Sequence, residues 1–447
     1  MVEGAARSPA ARRCLLLLGL ALSAGVGIGQ EVIDSVDVGG WNVAGLTYNS
    51  RAGVVYGRTL YAGSFFALDC STNQIVSRIP LWAPNSVAFS VTSEKAYCTF
   101  YAGQGEDSVL VVDGNTHSRL RAIPMPGATW PIWDSVSNRL YVNCYVENQV
   151  AVLDCRTDSV ITYIELRGEP VGQTINPRHR KLYVHCDSDA SLAVIDLETS
   201  QVRCYVYPGS LWYASCYSEV ADKYYCDGAQ GVAVIDGATD SVIKQIRLPQ
   251  GYGPAAMVSV ESESLVMVST NSGGSDSVFV VDVANDSVVN VLHVGRQPSA
   301  LAYSPRSRLV YCTSAIWDDL SVIAADGSRV LSHVRVGDGP QCLAVCLDFE
   351  KLYVGCGRQW VYVVRDRVGI SEANLPGLTP TALPAATVTD GRAFRYEGPA
   401  PARLVDACGR KALDVAIGDN DLSSLSQGVY VLLAGRNAAP RRVVKVK

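Results

Sequence analysis

LYVNCYVENQVAVLDCRTDSVITYIELRGEPV, residues 140–171, decides the fold of this chain. An apolar-Tyr-apolar run opens it, a second apolar run closes on Asp154, a polar turn follows, and a third run starts at Val160. The cassette returns about every 42 residues, eight times between Val32 and Asp366. Its first mark is Tyr56, Tyr97, Tyr141, Tyr183, Tyr225 and Tyr353, with Val266 and Val310 read in the two remaining places. These marks lie 41, 44, 42, 42, 41, 44 and 43 residues apart. A second mark follows each: Asp69, Asp113, Asp154, Asp196, Asp236 and Asp282, then Ala324 and Arg365 where the rule lapses. Self-similarity at this period means stacked or radially arranged units that bury their apolar faces only against one another.

Working outward from residue 154, one unit reads as four strands. A polar turn at 154–159 leads to a strand from Val160 to Leu166, then a loop at Gly168-Glu169-Pro170 and a strand from Val171 to Ile175. Asn176-Pro177-Arg178-His179 turns the chain into Lys181–Cys186, and Asp187-Ser188-Asp189 into Leu192–Ile195. Short strands with short connections make an antiparallel meander. A lone four-stranded sheet leaves two faces unprotected, and packing such sheets around an axis covers them. The expectation is an all-β chain built on an eight-bladed β-propeller, with seven blades as the alternative. One strand, Val32 to Val38, precedes the first full unit, and the last unit ends with three. The two ends are therefore expected to complete one sheet together.

Residues 1–29 read as a secretory signal, with Arg7, Arg12 and Arg13 before the apolar run Leu15 to Gly29. No other segment is long and apolar enough to span a bilayer, so no membrane span is expected after signal cleavage. The chain carries 14 Cys. Several recur in the Tyr-marked strand (Cys98, Cys144, Cys186, Cys226, Cys312, Cys356), where Cys packs as a small apolar side chain; real bridges stay open as the alternative in an exported protein. The formal net charge is −5. Residues 403–447 hold eight Lys/Arg against four Asp, so +4, and the signal holds +2, leaving the repeats with their linker near −11. An acidic array is a poor partner for nucleic acid.

No HExxH, GxSxG or P-loop occurs, and the five His are scattered over different units. No catalytic or metal-ligating set is assigned, and no cofactor is called for, with Ca²⁺ the one ion considered. The repeated Asp, followed by Thr three residues on in five units, reads as a turn device that satisfies free backbone N–H groups. Chain direction places the loops between second and third strands on the same rim as the crossings between units. Aromatic residues fall there: Trp41, Trp82, Trp130, Trp212 and Tyr252, with Trp317 and Trp360. Acids join them at Glu106, Asp107, Glu147, Asp187, Asp189, Asp276, Asp318 and Asp319. Such a rim is suited to stacking on sugars or to holding a basic peptide. The partner is expected to be a glycan, a peptide or a surface protein.

The run at 140–171 and its copies resemble the YVTN-type β-propeller repeat of secreted and surface-layer proteins, over residues 31–366. Residues 367–385 read as a Pro-containing linker, and 386–447 are expected, on the resemblance that follows, to form a small β-sandwich. Within it, Asp406, Gly409, Arg410, Asp421, Leu422, Gly428, Val429 and Tyr430 resemble the C-terminal sorting domain of the type IX secretion system; that family's usual preceding Asn-Pro strand is missing. The resemblance implies engagement with that secretion machinery and a place outside the cell or on the outer-membrane surface of a bacterium, with the periplasm as the alternative. It makes the chain a binding, interaction or structural module, leaning away from an enzyme. The competing expectation is an extracytoplasmic propeller enzyme of the quinone-dependent dehydrogenase, lactonase or lyase type, with its site in the central pocket. Quinone-dependent enzymes follow the Asp-x-x-Thr turn with Gly and a docking Trp. Here Asn73, His117, Asp158, Ser200 and Asp240 stand in the place of that Gly.

Overall fold

A computed structural model describes residues 30–100, 107–209, 213–249, 253–270 and 274–366 in full, together with the backbone of seven strands between 387 and 445. The signal-like segment 1–29 and the linker lie outside the described residues. Residue contacts divide the chain into a unit of Gly29–Val368 and a second unit that holds the C-terminal strands.

The first unit is an eight-bladed β-propeller. Blade 1 is Trp41–Asn49, Val54–Tyr61, Ser64–Asp69 and Ile75–Pro80, paired in that order. Blades 2 to 7 repeat the meander over 84–124, 128–165, 170–206, 215–247, 254–293 and 298–335. Blade 8 takes Pro340–Cys346, Lys351–Cys356 and Trp360–Arg365 from the end of the array and Val32–Asp37 from its beginning. Val32–Asp37 pairs antiparallel with Trp360–Arg365, so the expected clasp of the two ends is present.

Burial follows strand position. The third strands, such as Ser64–Asp69 and Ser191–Asp196, are buried on both faces because a blade packs on each side. The fourth strands alternate: Ile75–Pro80 buries every second residue more deeply. Each fully buried Val, Leu or Phe of this core contributes about 1.5–3 kcal/mol. Cys98, Cys144, Cys186, Cys226, Cys312 and Cys356 are buried free thiols.

The first strands carry a bulge in most blades, for example between Pro84 and Ser86, Thr129 and Pro131, or Pro254 and Ala256. A bulge frees backbone groups from the ladder. The fifth residue of the second strand meets that need in three blades: Thr99 Oγ1 accepts from Ser86 N (3.2 Å), Ser269 Oγ from Ala256 N (3.1 Å) and Thr313 Oγ1 from Ala300 N (2.9 Å).

The strand register corrects two of the marks. In blade 7 the strand is Leu309–Ser314, and its third residue, Tyr311, takes the place that Tyr97 holds in Lys95–Phe100; Val310 is its neighbour on the opposite face. In blade 6 the same place in Leu265–Thr270 belongs to Met267, not Val266. Both errors have one cause: the flanking strand is apolar on both faces, so its phase is hidden in the sequence.

In the second unit, a sheet runs in the order Thr387–Thr389, Arg441–Lys445, Gly428–Leu433, Ala402–Val405 and Lys411–Val415, and Ala393–Tyr396 pairs with Gly418–Asp421. Thr387–Thr389 and Arg441–Lys445 are parallel and the other pairs antiparallel.

Candidate binding rim

The two rims of the propeller are built from different chemistry. The lower rim holds the turns between first and second and between third and fourth strands. There, Asp69 Oδ1 accepts from the N–H groups of Ser71 and Thr72 and from both hydroxyls, and Asp113 and Asp236 each accept from two N–H groups and the Thr hydroxyl. Hydrogen bonds, led by the Ser71 hydroxyl at Asp69 and by the Thr116 and Thr239 N–H groups at the others, hold these carboxyls below their ordinary value. The repeated Asp is thus a turn device, as its spacing suggested.

The fifth residue of that turn is left-handed: Asn73, His117, Asp158, Ser200, Asp240 and Asp286 have φ between 49° and 59°. Asn and Asp tolerate that region better than most side chains. Five of them also meet the tyrosine of the preceding blade, Tyr56 Oη lying 3.1 Å from His117 Nδ1. Tyr97 donates to Asp158 (2.9 Å), Tyr183 to Asp240 (2.9 Å), Tyr225 to Asp286 (2.8 Å) and Tyr353 to Asn73 (3.1 Å). Lys95, Lys181 and Lys223 pair with the same three carboxylates at 2.7–2.8 Å. Tyr311 donates to Asp366 at 2.6 Å. Burial first, and then the neighbouring carboxylate, pushes the hydroxyls of Tyr183, Tyr225 and Tyr311 well above their ordinary value, so they stay donors. Met267 breaks the series, and the left-handed place in the next blade's turn is Gly327; hydroxyl and acceptor side chain lapse together. The lower rim is committed to holding the ring.

The upper rim differs. Trp41 opens the first strand of blade 1 and sits directly across from Tyr61 in the second. Trp82 lies in the crossing to blade 2 and lines a shallow groove with Leu60, Tyr61, Pro80 and Leu81. The three rings are 60%, 64% and 72% exposed. Trp317, in the second-to-third-strand loop of blade 7, is exposed as well, and Trp360, first residue of the third strand of blade 8, is half-buried. Trp212 and Tyr252 lie outside the described residues. Tyr61 was missed in the sequence because its exposure depends on the two-residue turn Ala62-Gly63, which places it at the strand's very end.

Trp130 belongs to a strand rather than a loop. It is the extra residue of the bulge in Ala128–Asp134, with φ of 35°, an outlier for a bulky side chain. Its ring meets Tyr213, which enters blade 5, at a centroid distance of 5.7 Å and 30° between planes. Its carbonyl accepts from Gln173 Nε2 of blade 4. The bulge therefore re-aims one indole toward the entrance of another blade.

The rim acids mostly serve their own chain. Asp107 is buried and accepts from Gly127 N (2.8 Å), and Asp318 accepts from Gly339 N (3.0 Å) and pairs with Arg335. Asp189 accepts from Ser191, and Asp319 pairs with His333 at 3.2 Å. Glu106 lies outside the described residues. Among the described residues no group of three His, Cys, Asp or Glu side chains is arranged to hold a metal ion.

No family model matches the chain, and no curated protein matches it in sequence. Among solved structures it is similar to the dihydro-heme d1 dehydrogenase NirN in complex with DHE, at 13% identity over 68% of each chain, with a TM-score of 0.58. It is also similar to the computationally designed Ika8 protein, at 14% identity over 76% of this chain and 100% of that one, with a TM-score of 0.56. Identities this low show the fold alone. Fold and comparison together define the class: an eight-bladed β-propeller.

Proposed function

We propose that this chain is an exported binding module whose ligand is a glycan that stacks on the upper rim at Trp41, Tyr61 and Trp82. One observation carries the reading: three large aromatic residues, each more than half exposed, lie at the upper end of blade 1, Tyr61 and Trp82 in one groove where blades 1 and 2 meet and Trp41 directly across the strand pair from Tyr61. Contiguous exposed aromatic surface of this kind marks an interaction site. Flat rings with exposed faces suit the C–H faces of sugars. A basic peptide would want free carboxylates, and several of the rim's acids are tied to backbone N–H groups, Arg335 or His333. Trp130 with Tyr213 offers a second aromatic platform on the same side of blades 3 and 5.

Export is supported by the signal-like residues 1–29 and by the likeness of residues 400–447 to a type IX sorting domain. That likeness favours the outer-membrane surface or the medium, with the repeat of YVTN type presented outward. Among the described residues no helix is long and apolar enough to cross a membrane.

The test is binding of the full chain to immobilised cell-wall and plant oligosaccharides, followed by calorimetry on whichever one binds. Trp41→Ala with Trp82→Ala is expected to weaken that binding at least tenfold, about 1.4 kcal/mol. Undiminished affinity in the double variant, or retention of a quinone cofactor with no glycan bound, overturns the reading; the second result would favour an enzyme.

A further inference from the structure

We propose that Cys70 and Cys346 close into a disulfide that clasps blade 8 to blade 1. Cys346 ends the first strand of blade 8, and Cys70 is the first residue after the third strand of blade 1. These two places face each other across each blade interface. At other interfaces polar groups fill them: Asn49 Nδ2 donates to Gly114 O and Asn176 Nδ2 to Gly237 O, both at 3.3 Å, and Ser304 donates to Asp366. Elsewhere the pairs are Ser90 with Cys155, Asp134 with Leu197, Ser218 with Val283 and Val260 with Ala325. Two cysteines meet at one interface of the eight, and it is the interface where the ring's closing blade reaches its first. Both are fully buried and belong to one core cluster. Each thiol is the leading influence on the other's ionisation, as expected of two sulfurs in close approach.

The closing blade is otherwise held by the noncovalent pairing of Val32–Asp37 with Trp360–Arg365. A bond between residues 70 and 346 would enclose most of the array in one covalent loop, the geometry in which a crosslink constrains the unfolded chain most. The oxidant is a low-molecular-weight or protein disulfide. The thiolate of one of the two cysteines attacks one of its sulfurs, forms a mixed disulfide and releases one thiol. The thiolate of the other then displaces the second, so the protein loses two hydrogens and the donor disulfide becomes two thiols. Because both are buried, exchange belongs to the moment when blades 1 and 8 come together. An oxidising compartment would preserve the product.

The experiment refolds the full chain with oxidised glutathione or with dithiothreitol, alkylates free thiols under denaturant and maps the peptides without reduction. The oxidised sample is expected to yield a crosslinked pair containing Cys70 and Cys346, and a Tm higher than the reduced sample by on the order of 5 °C. In Cys346→Ser, which installs the residue found in blades 2, 5 and 7, that difference is expected to vanish. Recovery of both cysteines alkylated from the oxidised chain, either one bridged to a different partner, or a Tm difference that persists in Cys346→Ser overturns the proposal. Should the variant fail to fold, the peptide map of the unaltered chain still decides.

Discussion

The lower and upper rims are made of the same strands and do opposite things. On the lower rim nearly every repeated polar group finds a partner, in its own turn as Asp69 does or in the next blade as Lys181, Tyr183 and Asp240 do. On the upper rim the repeat relaxes: loops vary in length from the two residues 62–63 to longer connections, and Trp41, Tyr61 and Trp82 face solvent. A ring that closes itself on one side leaves the other free to vary. Rim residues are thereby divided into those whose loss costs stability and those whose loss costs binding.

Breaking that division is the way to test it. The largest effect is expected from Asp240→Ala, which strands the Lys181 ammonium in a site where its side chain is 2% exposed. Removing one partner of such a pair costs about 3–5 kcal/mol, read as a drop in the urea midpoint. Tyr311→Phe removes a hydroxyl from Asp366 without changing the packing and is expected to cost about 1.5–3 kcal/mol. The corresponding change at blade 6, Met267→Leu, removes no hydrogen bond and is expected to cost less than about 1.5 kcal/mol.

Acid titration sharpens the comparison further. Burial opposes ionisation of Asp134, but the hydrogen bonds from Arg180, at 2.7 and 2.6 Å, and from Ser137 outweigh it and hold the carboxyl down at about 2, against 3.8 ordinarily. Its folded value lies below its unfolded one, so the contribution is present above pH 3.8 and is lost as pH falls toward 2. Arg180→Gln is expected to flatten that part of the stability profile and to move it upward in pH; an unchanged profile would show that the pair does not link blades 3 and 4. The smallest effect on stability is expected on the upper rim. Trp41→Ala with Trp82→Ala should leave the urea midpoint within the roughly 0.5 kcal/mol typical of surface substitutions. A larger loss would make these rings part of the blade packing.

Much of the fold was legible because a repeat samples the same local physics many times. The period, the polar turns at Asp69 or Asp236 and the single strand left over at Val32 were enough to expect eight blades and their clasp. The phase of a strand buried on both faces was not legible, which is why Val310 was read in place of Tyr311 and Val266 in place of Met267. The candidate rim was legible in part. Trp41, Trp82 and Trp317 reach the upper rim as loop arithmetic required, while Tyr61 emerged only from its pairing with Trp41, and Trp130 proved to be a bulge residue.

What the sequence by itself determined is therefore the repeating unit with its strands and turns, which follow from neighbours within about 42 residues, and the closure of the array, which follows from the strand left over at Val32 and missing from the last unit. What only the tertiary structure decided is which side chains meet across blades. Tyr311 finds Asp366, Trp130 finds Tyr213, and Cys70 finds Cys346 because the ring brings together residues that lie far apart along the chain. The physical reason is that hydrogen bonds and packing act over a few ångströms in space, and no local pattern records which strand will lie there once the circle is closed.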